Sequence, residues 1–363
     1  MASADHVTRP RASLYTAGGL VALVVCIVLA DLLVPRSVHL GPLLVIAPAL
    51  TAAVATPGVT VAAGVLAVGC QLALGALREE IGTANSAVQV GALAVLSVVL
   101  AFYSRGRRRR ETKLGRVQSM AEAAGRALLR EPPQSLGPLR LATEYRAAGE
   151  EAQVGGDFYG VVRVREGTRL LIGDVRGKGL RALDDTALVL GAFRAAAHLG
   201  LSLPDLAAHL DAALAWSNRE RETEEEFATA LLVDVPDSGD SLTALCCGHP
   251  APFVLGDGGA RALESTRPAP PLGLGSLTPG AWTAERHAFG AGETLLLYTD
   301  GVIEARDRTG AFYPLSERLP RLALTHATAD EVVRDVVADL LRHTGGQLHD
   351  DAALLTAQRG GAR

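Results

Sequence analysis

Four stretches near the amino terminus are apolar on every side: residues 15–34, 40–56, 58–77 and 86–103. A helix of a soluble bundle keeps one polar face, and none of these does. About 20 apolar residues cover the hydrocarbon core of a bilayer. The pattern therefore predicts four transmembrane helices within a membrane domain of residues 1–104. The second run is the thinnest, because Pro42 and Pro48 interrupt it, and Thr56-Pro57-Gly58 leaves only a tight turn before the third. Charge stays at the flanks, with Asp31 near the end of the first run and Arg78, Glu79 and Glu80 between the third and fourth. No buried charge pair is expected, so the polar path that a transporter needs is missing. Arg9 and Arg11 precede the first run, and Arg105, Arg107, Arg108, Arg109 and Arg110 follow the last. The positive-inside rule places both flanks in the cytoplasm, which an even number of crossings satisfies. A signal peptide fits poorly, because the first run is long and no small-residue cleavage site follows it.

Beyond residue 104 the period changes. Leu114, Val117, Met120, Ala121, Ala124 and Leu128 recur at steps of three and four, which predicts a helix over residues 105–131 ended by Pro132-Pro133. The whole juxtamembrane linker covers residues 105–135. Two heptads leave homodimerisation through this helix open. Residues 136–358 form the last domain. Strands are predicted over residues 139–147, 158–165, 170–175, 227–235, 241–247, 252–255, 285–289, 294–298 and 352–356. Helices are predicted over 179–199, 203–219, 315–324 and 329–343, and the Gly- and Pro-rich segment 256–280 reads as a loop. Strands in runs with helices between them give an α+β class rather than alternating βαβ units.

Composition agrees with this division. A chain of 363 residues suggests two domains. Its mean hydropathy of +0.23 requires a strongly apolar segment. The formal net charge of −4 gives no footprint of a nucleic-acid binder. The four cysteines include no CxxC pair, so zinc sites and disulfide frameworks are not expected. Cys246 and Cys247 are adjacent on a predicted strand and should face opposite ways as free thiols in a reducing compartment.

The candidate chemistry lies in four segments: VGGDFYG (154–160), IGDVRGKGLRA (172–182), LLLYTDGVIEARD (295–307) and LHDDAALL (348–355). Asp157, Asp174 and Asp300 each adjoin a strand end or a Gly turn, and Asp350 and Asp351 precede the closing strand. Any one Asp at such a place is ordinarily a turn residue or cap. Several converging would repel one another unless a cation sat between them, and an all-carboxylate set suits Mg²⁺ or Mn²⁺. The segment GDVRGKG fails as a nucleotide loop. Gly173 to Gly177 is one residue short of the required spacing, and Gly179 replaces Ser or Thr.

In this order the segments resemble the metal-dependent serine/threonine protein phosphatases of the 2C type, in the bacterial branch typified by the stage II sporulation protein E phosphatase. The resemblance covers roughly residues 120–357. It also includes RALLREPP, EYRAAGEEAQVGGDFY, FATALLVDV, GHPAPFVL and PPLGLG. It implies a β-sandwich flanked by helix pairs, two Mn²⁺ or Mg²⁺ ions, and hydrolysis of phosphoserine or phosphothreonine without a phosphoenzyme. Carried over by motif, Asp174 bridges both ions and the Val175 carbonyl binds one. Asp300 and Asp350 complete the other, and Asp157 joins the cluster directly or through water. Asp174 and Asp300 are the expected catalytic residues. Gly156 and Gly301 would let backbone approach the ions. Arg176 and Lys178 are candidates for contact with phosphate. His249 reads as structural. The family often has Asp after the FY pair where this chain has Gly160, a departure that bears on the second metal site. The implied substrate is a phosphorylated regulatory protein of the anti-anti-sigma type. The expected protein is thus a multi-pass phosphatase of the cell membrane, with lipid as a further partner. A competing reading is a membrane sensor whose phosphatase-like domain binds a partner without turnover.

Overall fold

The computed structural model describes residues 9–35, 40–79, 83–148, 155–221, 226–256, 259–278, 280–323 and 328–360. The side chains of residues 113–123 lie outside that description, and with them most of the linker positions predicted to support a dimer. The chain divides into two compact units, Met1–Val117 and Gln118–Arg363.

The first unit is helical, with α1 (Arg9–Leu33), a 3₁₀ turn (Gly41–Val45), α2 (Ile46–Val54), α3 (Pro57–Leu77) and α4 (Ala84–Leu128). Among the described residues, two helices are long and apolar enough to cross a membrane: Pro57–Leu77 and Ala84–Arg110. The second predicted run is not one uniform helix. Its prolines divide it into the 3₁₀ turn and a nine-residue helix. The last run and the linker helix, read separately from sequence, are one helix of 45 residues. Large apolar side chains face outward, such as Val65 at 69% and Phe102 at 70% exposure, while Ala63 and Ala67 are buried. The alanines share the interior with Leu44, Leu74 and Leu93, while the many large apolar side chains outside are what a water-soluble bundle avoids. At Gly64 a Cβ would lie 2.8 Å from the Ser97 Cβ, so α3 and α4 meet nearly backbone to backbone.

Polar contacts mark two levels in this bundle. The Asp31 carboxylate, in α1, pairs with Arg78 at 3.0 Å and accepts a hydrogen bond from Leu40 N at 2.6 Å. Both charged side chains are buried, contrary to the sequence expectation of no buried charge pair. That expectation considered each run alone, whereas the fold brings two run ends together. At the other level Arg107 donates to the Ala55 carbonyl at 3.2 Å, and Thr60 Oγ1 lies 3.5 Å from Ser104 Oγ.

The second unit carries two antiparallel sheets. Its elements are β1 (Ser135–Leu136), β2 (Leu139–Arg146), β3 (Asp157–Val164), β4 (Gly167–Val175), α5 (Leu180–Ala196), α6 (Leu203–Glu220), β5 (Ala228–Pro236), β6 (Ser241–Cys247), β7 (Phe253–Gly256), β8 (Gly259–Ala262), β9 (Glu285–Ala288), β10 (Thr294–Tyr298), α7 (Asp300–Ile303), α8 (Leu315–Ala323), α9 (Ala329–Thr344) and β11 (Ala352–Arg359). One sheet has the order β1-β2-β11-β10-β7-β8, the other β3-β4-β5-β6-β9. Helices α5 and α6 pack on the second sheet, α8 and α9 on the first. The predicted loop 256–280 therefore needs correction, since β8 lies within it and pairs with β7.

All five residues of β10 are buried. Leu295 and Leu297 join the core between the sheets, while Leu296 and Tyr298 join the core under α8 and α9. Covered on both faces, the strand shows no polar alternation. Each such leucine contributes roughly 1.5–3 kcal/mol. Helix α9 begins with a capping box, Thr328 Oγ1 accepting from Glu331 N while Glu331 accepts from Thr328 N, and Gly345 ends it at φ 74°.

Candidate metal centre

The site begins in a strand register. Strands β3 and β4 pair with Asp157 opposite Asp174. Directly opposed residues share one face of a sheet, and two like charges there destabilise it. Asp300, the first residue of α7 after β10, brings a third carboxylate from the other sheet. Oxygens of Asp157, Asp174 and Asp300 all lie within 4.8 Å of one another.

Asp157 is buried, and its Oδ2 accepts a hydrogen bond from Thr299 Oγ1 at 2.6 Å. Thr299 Oγ1 in turn accepts from Ala353 N at 2.9 Å. One hydroxyl thus joins both sheets behind the cluster. Burial, then the charge of Asp174, push the Asp157 carboxyl well above its ordinary range. Burial, then Asp300 and Asp350, push Asp174 up to about 7. Asp300 is raised by burial first, then by Glu304 and Asp350. Three raised carboxyls facing one another are short of positive charge. An oxygen-only donor set of this kind fits a hard divalent cation.

The glycines divide by role. A Cβ on Gly156 would lie 2.2 Å from the Val175 carbonyl oxygen and 2.7 Å from Asp174 Oδ1, so only glycine lets the two segments close. The Val175 carbonyl therefore lies beside the cluster, while its side chain is buried in the core. A Cβ on Gly301 would lie 1.7 Å from the Asp351 carbonyl oxygen. Its small size serves the packing of α7 on β11 rather than approach to the carboxylates. At Gly160 a Cβ would meet the Phe193 ring at 3.1 Å. Position 160 faces helix α5 and the core, so a side chain there would have to be accommodated against Phe193.

Asp350 is placed apart from the three. Its Oδ1 pairs with Lys178 Nζ at 2.7 Å, and the side chain is 55% exposed. Lys178, read as a phosphate contact, is held by that pair, which raises its pKa. The Arg176 guanidinium lies 5.4 Å from the centre of the Phe227 ring. His249 is buried, with Nδ1 3.0 Å from Thr229 Oγ1 and Nε2 3.1 Å from the Tyr298 carbonyl. A carbonyl only accepts, so Nε2 carries the proton and donates. Burial lowers the imidazole pKa to about 4, so the ring is neutral and structural.

Sequence reading gave no role to Thr299, and of the Asp350-Asp351 pair assigned only Asp350. Asp351 is buried and accepts hydrogen bonds from Tyr145 Oη, from Ala148 N at 2.8 Å and from Gly155 N at 3.0 Å. It anchors the segment that leads into Gly156 and Asp157. The available signal was strand alternation: of two adjacent aspartates ahead of a buried strand, one faces inward.

A family model described as stage II sporulation protein E matches residues 165–360. The chain is 29% identical over 216 residues to the phosphoserine phosphatase RsbU of Bacillus subtilis, covering 57% of this chain and 60% of that protein. It spans only 21% of the length of another curated relative. Among solved structures, the RsbU and RsbW domains of Rv1364c from Mycobacterium tuberculosis align with a TM-score of 0.52 at 26% identity, covering 62% of this chain and 61% of that one. The SiaA-PP2C domain of Pseudomonas aeruginosa aligns with a TM-score of 0.55 at 22% identity, over 69% of this chain and 98% of that domain. The two-sheet α+β unit thus has the PP2C fold. With the family model matching more than half of its residues, the chain belongs to the stage II sporulation protein E family.

Proposed function

We propose that the chain is a membrane-anchored, metal-dependent protein phosphatase that acts on a phosphoserine or phosphothreonine of a regulatory protein, with an anti-anti-sigma factor as the expected substrate. The convergence of Asp157, Asp174 and Asp300 carries this reading. Membership of the family and the likeness to the phosphoserine phosphatase RsbU support it. Asp174, Asp157 and Asp300 would hold Mn²⁺ or Mg²⁺ with the Val175 carbonyl, and Asp350 would join them on leaving Lys178. Bound there, two such ions supply an activated water and neutralise charge on the phosphoryl oxygens. The chain's own part is to fix the donors. Thr299 orients Asp157, Gly156 admits the close approach of Asp174, and Asp351 fixes Gly155 just ahead of them. A partner-binding domain without turnover has no need of three mutually repelling carboxylates.

The membrane reading rests on the two span-length helices and the outward apolar side chains. Four crossings are proposed, with residues 40–56 as the thinnest, and with both charged flanks in the cytoplasm. The phosphatase reading is tested on the full chain in detergent with p-nitrophenyl phosphate and a phosphoserine peptide. Hydrolysis is expected with Mn²⁺ or Mg²⁺ and is abolished by excess chelator. Undiminished turnover in chelator sinks it.

A further inference from the structure

A cleft of about 580 Å³ adjoins the carboxylate cluster. Its wall runs from Gly301, next to Asp300, through the turn Glu304–Gly310 to Asp350. The charges on this wall are unevenly satisfied. Asp307 is consumed by its own turn: Oδ1 accepts from Thr309 N at 2.8 Å, Thr309 Oγ1 at 2.6 Å and Ala311 N at 3.0 Å. Asp350 is paired with Lys178. The Arg306 guanidinium lies over the Phe312 ring, 4.2 Å from its centre, and makes no ion pair among the described residues. Arg308 is exposed, and among the described residues it makes no hydrogen bond or ion pair. The turn is also held by His343 Nε2, 3.1 Å from the Ala311 carbonyl. Beyond Glu304, then, the cleft presents two arginines on a fixed turn, with their acidic neighbours already engaged.

We propose that this cleft is a docking subsite for acidic side chains flanking the phosphorylated residue of the protein substrate, with Arg308 as its principal contact and Arg306 beside it. The proposal rests on the phosphatase reading. An acidic segment brought to a cluster of carboxylates meets repulsion, and two guanidinium groups on the adjoining wall offset it. Planar guanidinium matches carboxylate with paired hydrogen bonds. The site therefore selects substrate through binding and not through the chemical step.

The test compares two synthetic phosphoserine peptides on the full chain in detergent with Mn²⁺. One carries Asp and Glu on both sides of the phosphoserine, the other Gln and Ala. Wild type is expected to show a KM about five-fold lower for the acidic peptide, the size of one or two partly exposed ion pairs. The advantage should shrink as salt rises from 0.05 to 0.5 M, as screening shortens the reach of the charges. Arg308→Glu should erase the difference between the peptides, Arg308→Gln should reduce it, and Arg308→Lys should keep part of it. A wild-type enzyme indifferent to the flanks overturns the proposal without any variant. So does a preference that survives in both Arg308→Glu and Arg308→Gln, which locates the selection elsewhere. An equal KM rise for both peptides makes Arg308 a contact to the phosphate itself and also overturns it. Failure of the phosphatase reading is distinguishable, because wild type would then leave p-nitrophenyl phosphate untouched with Mn²⁺ present.

Discussion

Asp174 faces Asp157 across the strand pair and Asp300 from the other sheet. Asp174→Asn keeps the shape and removes the charge. Turnover should fall by at least about a thousand-fold, because metal activation of water supplies several kcal/mol of the stabilisation. In chelator the variant should melt no lower than wild type, as it relieves repulsion within the cluster. Metal-dependent hydrolysis and thermal unfolding in EDTA read both effects; near-normal turnover at saturating Mn²⁺ would remove Asp174 from the site. His249 gives the pH signature. Its pKa is lowered from 6.5 to about 4 in the fold. Between those values the unfolded chain binds the proton first, so stability is complete above about 6.5 and is lost as pH falls towards 4. The slope should approach ~1.4 kcal/mol per pH unit. His249→Gln should flatten the decline in Tm between pH 7 and pH 5, and an unchanged slope would place the titrating group elsewhere. Part of this was legible in sequence. A Gly-Gly-Asp, a Gly-Asp-Val and a Tyr-Thr-Asp-Gly, each at a strand end, locate the three aspartates. The pairing of Asp350 with Lys178 was not, since it depends on where two exposed turns meet.

Asp351 ties Gly155, at the entry to β3, to the end of β2. Asp351 accepts three hydrogen bonds from Tyr145, Ala148 and Gly155. Asp351→Ala leaves two backbone N–H groups and a buried hydroxyl without their acceptor, at a cost of about 2–3 kcal/mol. It should also lower Mn²⁺ affinity about ten- to hundred-fold, the usual effect of losing a group that orients ligands from behind. Mn²⁺ titration of activity measures this, and unaltered affinity would reduce Asp351 to a purely structural anchor. Elements with strong local signals were legible. Helix α9 has its capping box, its apolar period and its terminal glycine, and α6 opens at Ser202, whose side chain accepts from Asp205 N. Those missed lack such signals. Strand β8 is four residues of Gly, Ala and Arg whose only reason to be extended is pairing with β7. Helix α7 is one turn, set by the chain leaving β10. The join between the fourth apolar run and the linker was missed because the arginine run reads as a boundary, while arginine is itself a good helix former.

The number of membrane crossings can be argued from contacts at the two ends of the helical unit. α3 is about 31 Å long at 1.5 Å per residue, a full hydrocarbon thickness. Its far end carries Arg78, which pairs with Asp31 in the last turn of α1. α1 and α3 therefore end at one level. Leu40 is at that level too, through its bond to Asp31, while Ala55 is at the other, through Arg107 of α4. Residues 40–55 must then return across the distance that α3 covers, although the 3₁₀ turn and α2 together are only about 24 Å long. On the four-crossing proposal this short run makes the return, with Ala55 extended at its end. On that proposal α1, the return segment, α3 and α4 alternate in direction, and the even count would put both basic flanks on one side. Reporter fusions after Arg11 and after Arg110 should both read cytoplasmic. An opposite reading at Arg11 would mean that residues 40–55 dip and return on one side. The same geometry predicts that Asp31→Arg and Arg78→Asp each lower stability in detergent, since either leaves a buried charge facing its like. Combined, they should recover most of the loss, with a coupling of about 1–3 kcal/mol. Additive effects in that cycle would detach the ends of α1 and α3, and the four-crossing arrangement with them.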